Sequence, residues 1–93
     1  MNENIRKILK ALNDYIQDNL TLTELDDIVV ELYVDSDVEF TESQSDILCD
    51  INDDIGFTAR NPYTEEDKAI NLFTENQLKE KITKYMMDLA PKG

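Results

Sequence analysis

A chain of 93 residues has room for one small domain, and its 41% hydrophobic content allows one modest core without a metal or a disulfide. Its 21 acids and 9 bases give a net charge of −12, which repels nucleic acids and anionic membranes and favours a basic protein partner. The lack of histidine excludes histidine-containing metal sites and triads. The single cysteine excludes an internal disulfide, and two glycines leave no glycine-rich phosphate loop.

The chain carries no sign of a membrane or export segment. No run approaches 18 consecutive apolar residues, and the N-terminus lacks an apolar signal region. We expect a single helical domain over residues 1–93, soluble and cytoplasmic, with no cofactor and no metal. The sequence leaves its oligomeric state open.

The hydrophobic pattern is helical along most of the chain. Apolar residues recur at intervals of three and four in four segments, which predicts helices near residues 3–19, 22–35, 42–56 and 75–89. The first two loops are short, which favours antiparallel neighbours. The predicted fold class is all-α: a small antiparallel four-helix bundle with a long loop, residues 56–73, before the last helix.

Three of these helices begin with the same signature, the capping box. A threonine side chain accepts from the third backbone N–H of the helix, and a Glu or Gln at that third position reaches back to the N–H of the threonine. The three pairs are Thr21 with Glu24, Thr41 with Gln44, and Thr74 with Gln77. A fourth pair, Thr64 with Asp67, precedes no apolar run and predicts at most a single turn.

The negative charge is concentrated in the middle of the chain. Residues 11–59 hold 14 acids and no Lys or Arg, whereas residues 60–93 hold six of each sign. Many of these acids are spaced four apart, so that on a helix like charges become neighbours, at a cost of roughly 0.2–0.5 kcal/mol per pair. The spacing occurs in Asp27, Glu31 and Asp35 and again in Glu42, Asp46, Asp50 and Asp54.

Two interpretations of this segment remain open. The acids are either a solvated face that only keeps the protein soluble, or a face arranged for a basic partner, since sites where local rules fail together tend to be functional. We favour the second, and add the loop before the last helix because tyrosine is enriched at interface hot spots. The candidate partner-binding residues are Asp27, Glu31, Asp35, Glu42, Asp46, Asp50, Asp53, Asp54, Tyr63, Glu65 and Glu66.

Other chemistry fits the sequence poorly. The stretch DINDDIG begins like a calcium loop, but Ile55 stands where that loop needs glycine and Asn61 where it needs a bidentate acid. Paired carboxylates need a pocket that separates their pKa values before they can act as acid and base. We predict these acids on outer helix faces, and so expect no enzymatic activity. Cys49 has no basic neighbour that would lower its pKa, and we interpret it as a residue at the edge of the core.

Two stretches of the chain resemble a known family. In YTEEDKAINLFTENQLKEKITKYMMDL, residues 63–89, an acidic loop enters a helix through the segment Leu72–Leu78, and LTLTELDDIVVELY, residues 20–33, is similar to the family's second helix. The family is the colicin-D-like, contact-dependent-inhibition group of bacterial immunity proteins, whose length and acidity the chain also matches.

This resemblance implies a small helical bundle that binds a cognate basic nuclease toxin and covers its nucleic-acid-binding surface with carboxylates. The expected partner is therefore a basic protein, with no direct contact to nucleic acid or membrane. Two alternatives stay open: a phage-type DNA mimic that inhibits another nucleic-acid-binding protein, and an acidic helical adaptor domain.

Overall fold

The structure, a computed structural model, describes residues 3–58 and 64–89. Within them the helices are α1 (Glu3–Ile16), α2 (Leu22–Val29), α3 (Glu42–Gly56), α4 (Glu65–Ala69) and α5 (Glu75–Leu89), and a π-helical turn (Val30–Val34) continues α2. The predicted fold class is confirmed: α1, α2 with its π turn, α3 and α5 form a small all-α four-helix bundle. The short helix α4 lies in the long connection before α5.

The four main helices close into a ring. α1 packs against α2 and α5, and α3 packs against the same two helices. α1 and α3 therefore occupy diagonal corners of the bundle. The apolar stripes of the four helices meet inside the ring and form one core, with the side chains of Ile5, Ile8, Leu12, Tyr15, Leu25, Val29, Leu48, Ile51, Ile55, Leu78 and Ile82 almost completely buried.

The capping boxes predicted from the sequence are present. Thr21 Oγ1 accepts from Glu24 N at 3.2 Å, and Glu24 Oε1 accepts from Thr21 N at 3.0 Å. The backbone N–H of Thr21, with a smaller contribution from its side chain, lowers the pKa of Glu24. The same reciprocal pairs form at the other two helix starts, between Thr41 and Gln44 and between Thr74 and Gln77. The starts of α2, α3 and α5 accordingly agree with the prediction.

The first helix ends earlier than the predicted residue 19. Asp18 adopts a left-handed conformation with φ of 64°. Its N–H donates to Tyr15 O, and the N–H of Asn19 donates to Asp14 O, which is the hydrogen-bond pattern of a Schellman motif. Asp18 occupies the position that usually holds glycine, and an aspartate there is not an obvious stop signal for a helix.

The second helix does not continue as an α-helix to residue 35. From Val30 to Val34 the backbone forms a π turn, closed by the N–H of Asp35 donating to Val30 O at 2.9 Å. Asn4 of α1 supports this turn, because its Nδ2 donates to Leu32 O at 3.0 Å and to Ser36 Oγ at 3.0 Å. A contact between α1 and the π turn thus satisfies part of its backbone.

The long connection between α3 and α5 is closed at its base. Phe73 N donates to Phe57 O at 3.0 Å, and the two rings pack edge to face with centroids 5.4 Å apart. Thr58, which is buried, donates through Oγ1 to Asp54 O at 2.6 Å. After Thr64 the connection forms the single short helix α4. Among the described residues, none of the helices combines the length and the apolar character needed to cross a bilayer.

Candidate partner-binding surface

The outer face of α3 carries four exposed carboxylates. The helix buries Leu48, Ile51 and Ile55 in the core, which turns the opposite side of the helix to solvent. The acids on that side, which we call the α3 acidic face, are Glu42, Asp46, Asp50 and Asp53. Within residues 3–58 and 64–89, none of these four carboxylates forms an ion pair with a Lys or Arg.

Asp54, the last of the four acids spaced four apart in this segment, lies away from this face. A step of four residues advances about 40° around an α-helix, so a stripe with that spacing winds around the helix, and three steps turn it by roughly 120°. This rotation brings Asp54 to the α5 side, where its side chain is only 18% exposed. The expectation that all four carboxylates share one outer face is therefore wrong for Asp54.

Asp54 joins α3 to α5 instead. The hydroxyl of Tyr85 donates to Asp54 Oδ2 at 2.5 Å, and Lys81 Nζ lies 4.0 Å from the same oxygen. Burial raises the pKa of Tyr85, because a phenolate would be poorly solvated there. The hydrogen bond to the Asp54 carboxylate raises it further, since ionisation would place a second anion beside the first. Lys81 also packs over the ring of Phe73, 4.8 Å from its centroid.

The interpretation of Cys49 as a core-edge residue is also wrong, since this side chain is exposed on α3. Its Sγ lies 3.9 Å from Asp53 Oδ2. The charge of Asp53, with smaller contributions from burial, Asp50 and Asp46, raises the pKa of the Cys49 thiol. The α3 acidic face is thus negative enough to disfavour a further anion within it.

Of the acids predicted on the second helix, Glu31 does not share a surface with those of α3. Asp27 is exposed, and Asp35 is exposed at the end of the π turn. Glu31, however, lines a groove between α1 and α2 together with Lys7 and Lys10. Because α1 and α3 lie on different sides of α2, Glu31 points away from the α3 acidic face.

Two further acids of the base-free segment take partners from outside it. Lys10 Nζ lies 3.4 Å from Asp14 Oδ2 within α1, and Lys79 of α5 lies 2.5 Å from Asp18 Oδ1. Lys79 also lies over the ring of Tyr15, 5.4 Å from its centroid. Bases elsewhere in the chain therefore compensate the acids that turn toward α1 and α5, whereas those of the α3 acidic face have no ion pair within the part of the chain that the structure describes.

The remaining candidates lie in the long connection. Glu65 and Glu66 are exposed on α4, and Tyr63 lies outside the described residues. The stretch with partial similarity to a calcium loop is part of α3, with Ile51 and Ile55 in the core. Comparisons of the chain with protein-family models, curated proteins and solved structures found no match. Function is accordingly inferred from the geometry and charge of the described surface.

Proposed function

We propose that this chain is an immunity protein that binds a basic nuclease toxin and covers the toxin's nucleic-acid-binding surface with the α3 acidic face. The observation that carries the proposal is that Glu42, Asp46, Asp50 and Asp53 are exposed together with no basic partner in the described part of the chain. The resemblance of residues 20–33 and 63–89 to colicin-D-like immunity proteins supports the same role.

The energetics of the α3 acidic face favour a partner over simple hydration. Glu42–Asp46 and Asp46–Asp50 are like-charged pairs four residues apart, each costing roughly 0.2–0.5 kcal/mol in the isolated protein. Lys or Arg side chains brought against these carboxylates reverse the sign of the interaction, and close charge pairs across an interface couple by roughly 1.5–7 kcal/mol. The arrangement is mildly unfavourable alone and favourable in a complex.

The same charges act before contact. A surface with one sign of charge raises the rate at which an oppositely charged protein arrives, and the effect falls steeply with ionic strength. A nuclease must present a positive surface to its own substrate, so the α3 acidic face competes for the surface that nucleic acid would occupy.

The test uses the product of the gene next to this chain's gene, which the proposal requires to be a basic nuclease toxin, and a double reversal, Asp46→Lys with Asp50→Lys. Both positions are exposed on α3 and have no ion pair within the described residues. The matched control is Glu80→Lys with Asn76→Lys and Thr83→Lys on α5, which gives the same change in net charge at exposed positions on the side of α5 opposite Lys81, the residue that contacts α3. Association kinetics at two ionic strengths and inhibition of the nuclease are measured for the parent and both variants.

We expect the α3 reversal to weaken binding by at least about 100-fold, equivalent to roughly 2.7 kcal/mol, with part of the loss in a salt-sensitive association rate. The α5 control changes both quantities much less. If the α3 reversal binds and inhibits as the parent does, the face is only solvated and the proposal fails. If the toxin is not bound but another nucleic-acid-binding protein is, through the same face, the chain is a DNA mimic instead.

A further inference from the structure

A groove runs between α1 and α2, with a volume of about 440 Å³. Its floor is apolar and is formed by Ala11, Leu20, Ile28 and Leu32, three of which remain half-buried rather than buried. Its rims carry charge of both signs, in the side chains of Lys7, Lys10, Asp14 and Glu31. The groove therefore combines exposed apolar surface with a rim of no net charge.

Two of the four charged side chains on the rims pair with each other, and the other two have no ion pair within the described residues. Lys10 pairs with Asp14 at 3.4 Å. Lys7 on the α1 rim and Glu31 on the α2 rim form no ion pair with any residue in the described ranges 3–58 and 64–89. One cation and one anion on opposite rims are thus available to an occupant.

These two charges lie at the same end of the groove. Asn4, near the start of α1, contacts Leu32 in the π turn that follows α2, so the first half of α1 lies beside this turn. Lys7 belongs to that half of α1, and Glu31 belongs to the turn. A twofold axis running along the groove would then place Lys7 of each copy opposite Glu31 of the other, as in an isologous interface.

We propose that a second copy of this chain docks on the α1–α2 groove, face to face, with Lys7 of each copy paired to Glu31 of the other over the shared apolar floor. Charge complementarity selects this occupant. A strongly basic or strongly acidic partner would be repelled by one rim, whereas a second copy meets its own pattern with the signs exchanged.

At the groove, two copies of a chain with net charge −12 can approach without a local excess of negative charge, because its rim carries two bases and two acids. α1, with its 14 residues, is about 21 Å long, so a face made of α1 and α2 gives an interface at the small end of specific complexes. The dimer is therefore weak, and reversible over the micromolar to millimolar range. Since α1 is diagonal to α3, the dimer leaves the α3 acidic face open, and it does not depend on the proposed function.

The test is sedimentation equilibrium of the full chain across that concentration range, at about 0.15 M ionic strength, where the Debye length is about 8 Å. The variants are Lys7→Glu, Glu31→Lys and the double exchange of both. The matched controls are Lys84→Glu and Glu80→Lys, two exposed positions on α5 that repeat the same changes in net charge away from the groove. Circular dichroism verifies that each variant keeps its helices.

We expect each single reversal to weaken the dimer about tenfold, since two ion pairs are lost and two repulsions are created, and the double exchange to restore it. Glu31→Lys is the sharper variant: it lowers the net negative charge, so general repulsion alone would make its dimer tighter, as the Glu80→Lys control reports. A chain that stays monomeric throughout overturns the proposal and leaves the groove to another occupant. A dimer that the singles do not weaken, or that the double exchange does not restore, overturns it as well.

Discussion

Two carboxylates one turn apart on α3 should respond to the same substitution with opposite signs. Asp50→Ala and Asp54→Ala remove the same charge from the same helix and give the same gain in helix propensity, at most about 0.7 kcal/mol. Asp50, however, is exposed on the α3 acidic face, whereas Asp54 accepts from the Tyr85 hydroxyl at 2.5 Å.

The magnitudes follow from these partners. Asp50→Ala relieves two like-charged pairs, with Asp46 and Asp54, at roughly 0.2–0.5 kcal/mol each, so with the propensity gain we expect about 1 kcal/mol of added stability. Asp54→Ala loses a hydrogen bond to a charged group, worth roughly 1.5–3 kcal/mol. It also loses the ion pair with Lys81, worth up to about 1 kcal/mol. It regains part of the total through propensity, through relief of the like-charged pair with Asp50, and through removal of an anion from the last turn of α3, at about 0.3–1 kcal/mol. We expect a net loss of about 1 kcal/mol.

The assay is urea unfolding followed by circular dichroism, with thermal melts alongside. The two variants should differ by about 2 kcal/mol, which for a domain of this size is roughly 8–16 °C in Tm. Tyr85→Phe completes a double-mutant cycle with Asp54→Ala, and we expect a coupling free energy of about 1 kcal/mol or more. Two variants of equal stability, or effects of Asp54→Ala and Tyr85→Phe that add within about 0.3–0.5 kcal/mol, would show that the α3–α5 contact does not stabilise the bundle.

Three further outcomes are expected. Asp18→Gly should raise stability by roughly 1 kcal/mol in urea unfolding, because glycine adopts the left-handed conformation without strain and the substitution removes an anion beyond a helix C-terminus. Together these gains outweigh the loss of the ion pair between Asp18 and Lys79. An unchanged unfolding midpoint would contradict this. Cys49, although exposed, should react with iodoacetamide several-fold more slowly than free cysteine near pH 8, because its thiol pKa is raised. The Asp53→Asn variant should react faster than the parent. Equal rates in parent and variant would show that Asp53 does not control the thiol. Because folding raises the pKa of Tyr85, the contribution of Tyr85 to stability is complete below the ordinary tyrosine pKa near 10 and is lost as pH rises above it. The Tyr85→Phe variant should therefore lose less stability than the parent does above about pH 10.

Local signals in the sequence predicted most of the fold. The capping boxes at Thr21, Thr41 and Thr74 fix the helix starts because all of their hydrogen bonds lie within four residues. The end of α1 at Asp18 was missed, since an aspartate in the left-handed conformation has no distinctive sequence signal. The π turn at Val30–Val34 was missed for a different reason: the contact that supports it comes from Asn4, on another helix.

In the candidate surface, too, the features that depend on local sequence were predicted, and those that depend on contacts between helices were not. The periodicity predicts that Ile51 and Ile55 face the core. Asp46 and Asp50 lie on the other side of the same helix, so their exposure is predicted as well. The partner of Asp54 does not follow, because Tyr85 is 31 residues away and their contact depends on how α3 packs against α5. Spacing within a helix reveals which charges are neighbours along it, but not which side of the helix another element covers.

The diagonal placement of α1 and α3 has an electrical consequence. Arg6, Lys7 and Lys10 are exposed on α1, and the carboxylates of the α3 acidic face are exposed at the other end of the diagonal. The molecule therefore has a dipole moment across the bundle in addition to its net charge. In the field of a positively charged body this moment produces a torque as well as an attraction, and the protein turns α3 forward while it is still separated by water. Moderate salt would weaken that orientation without changing the fold.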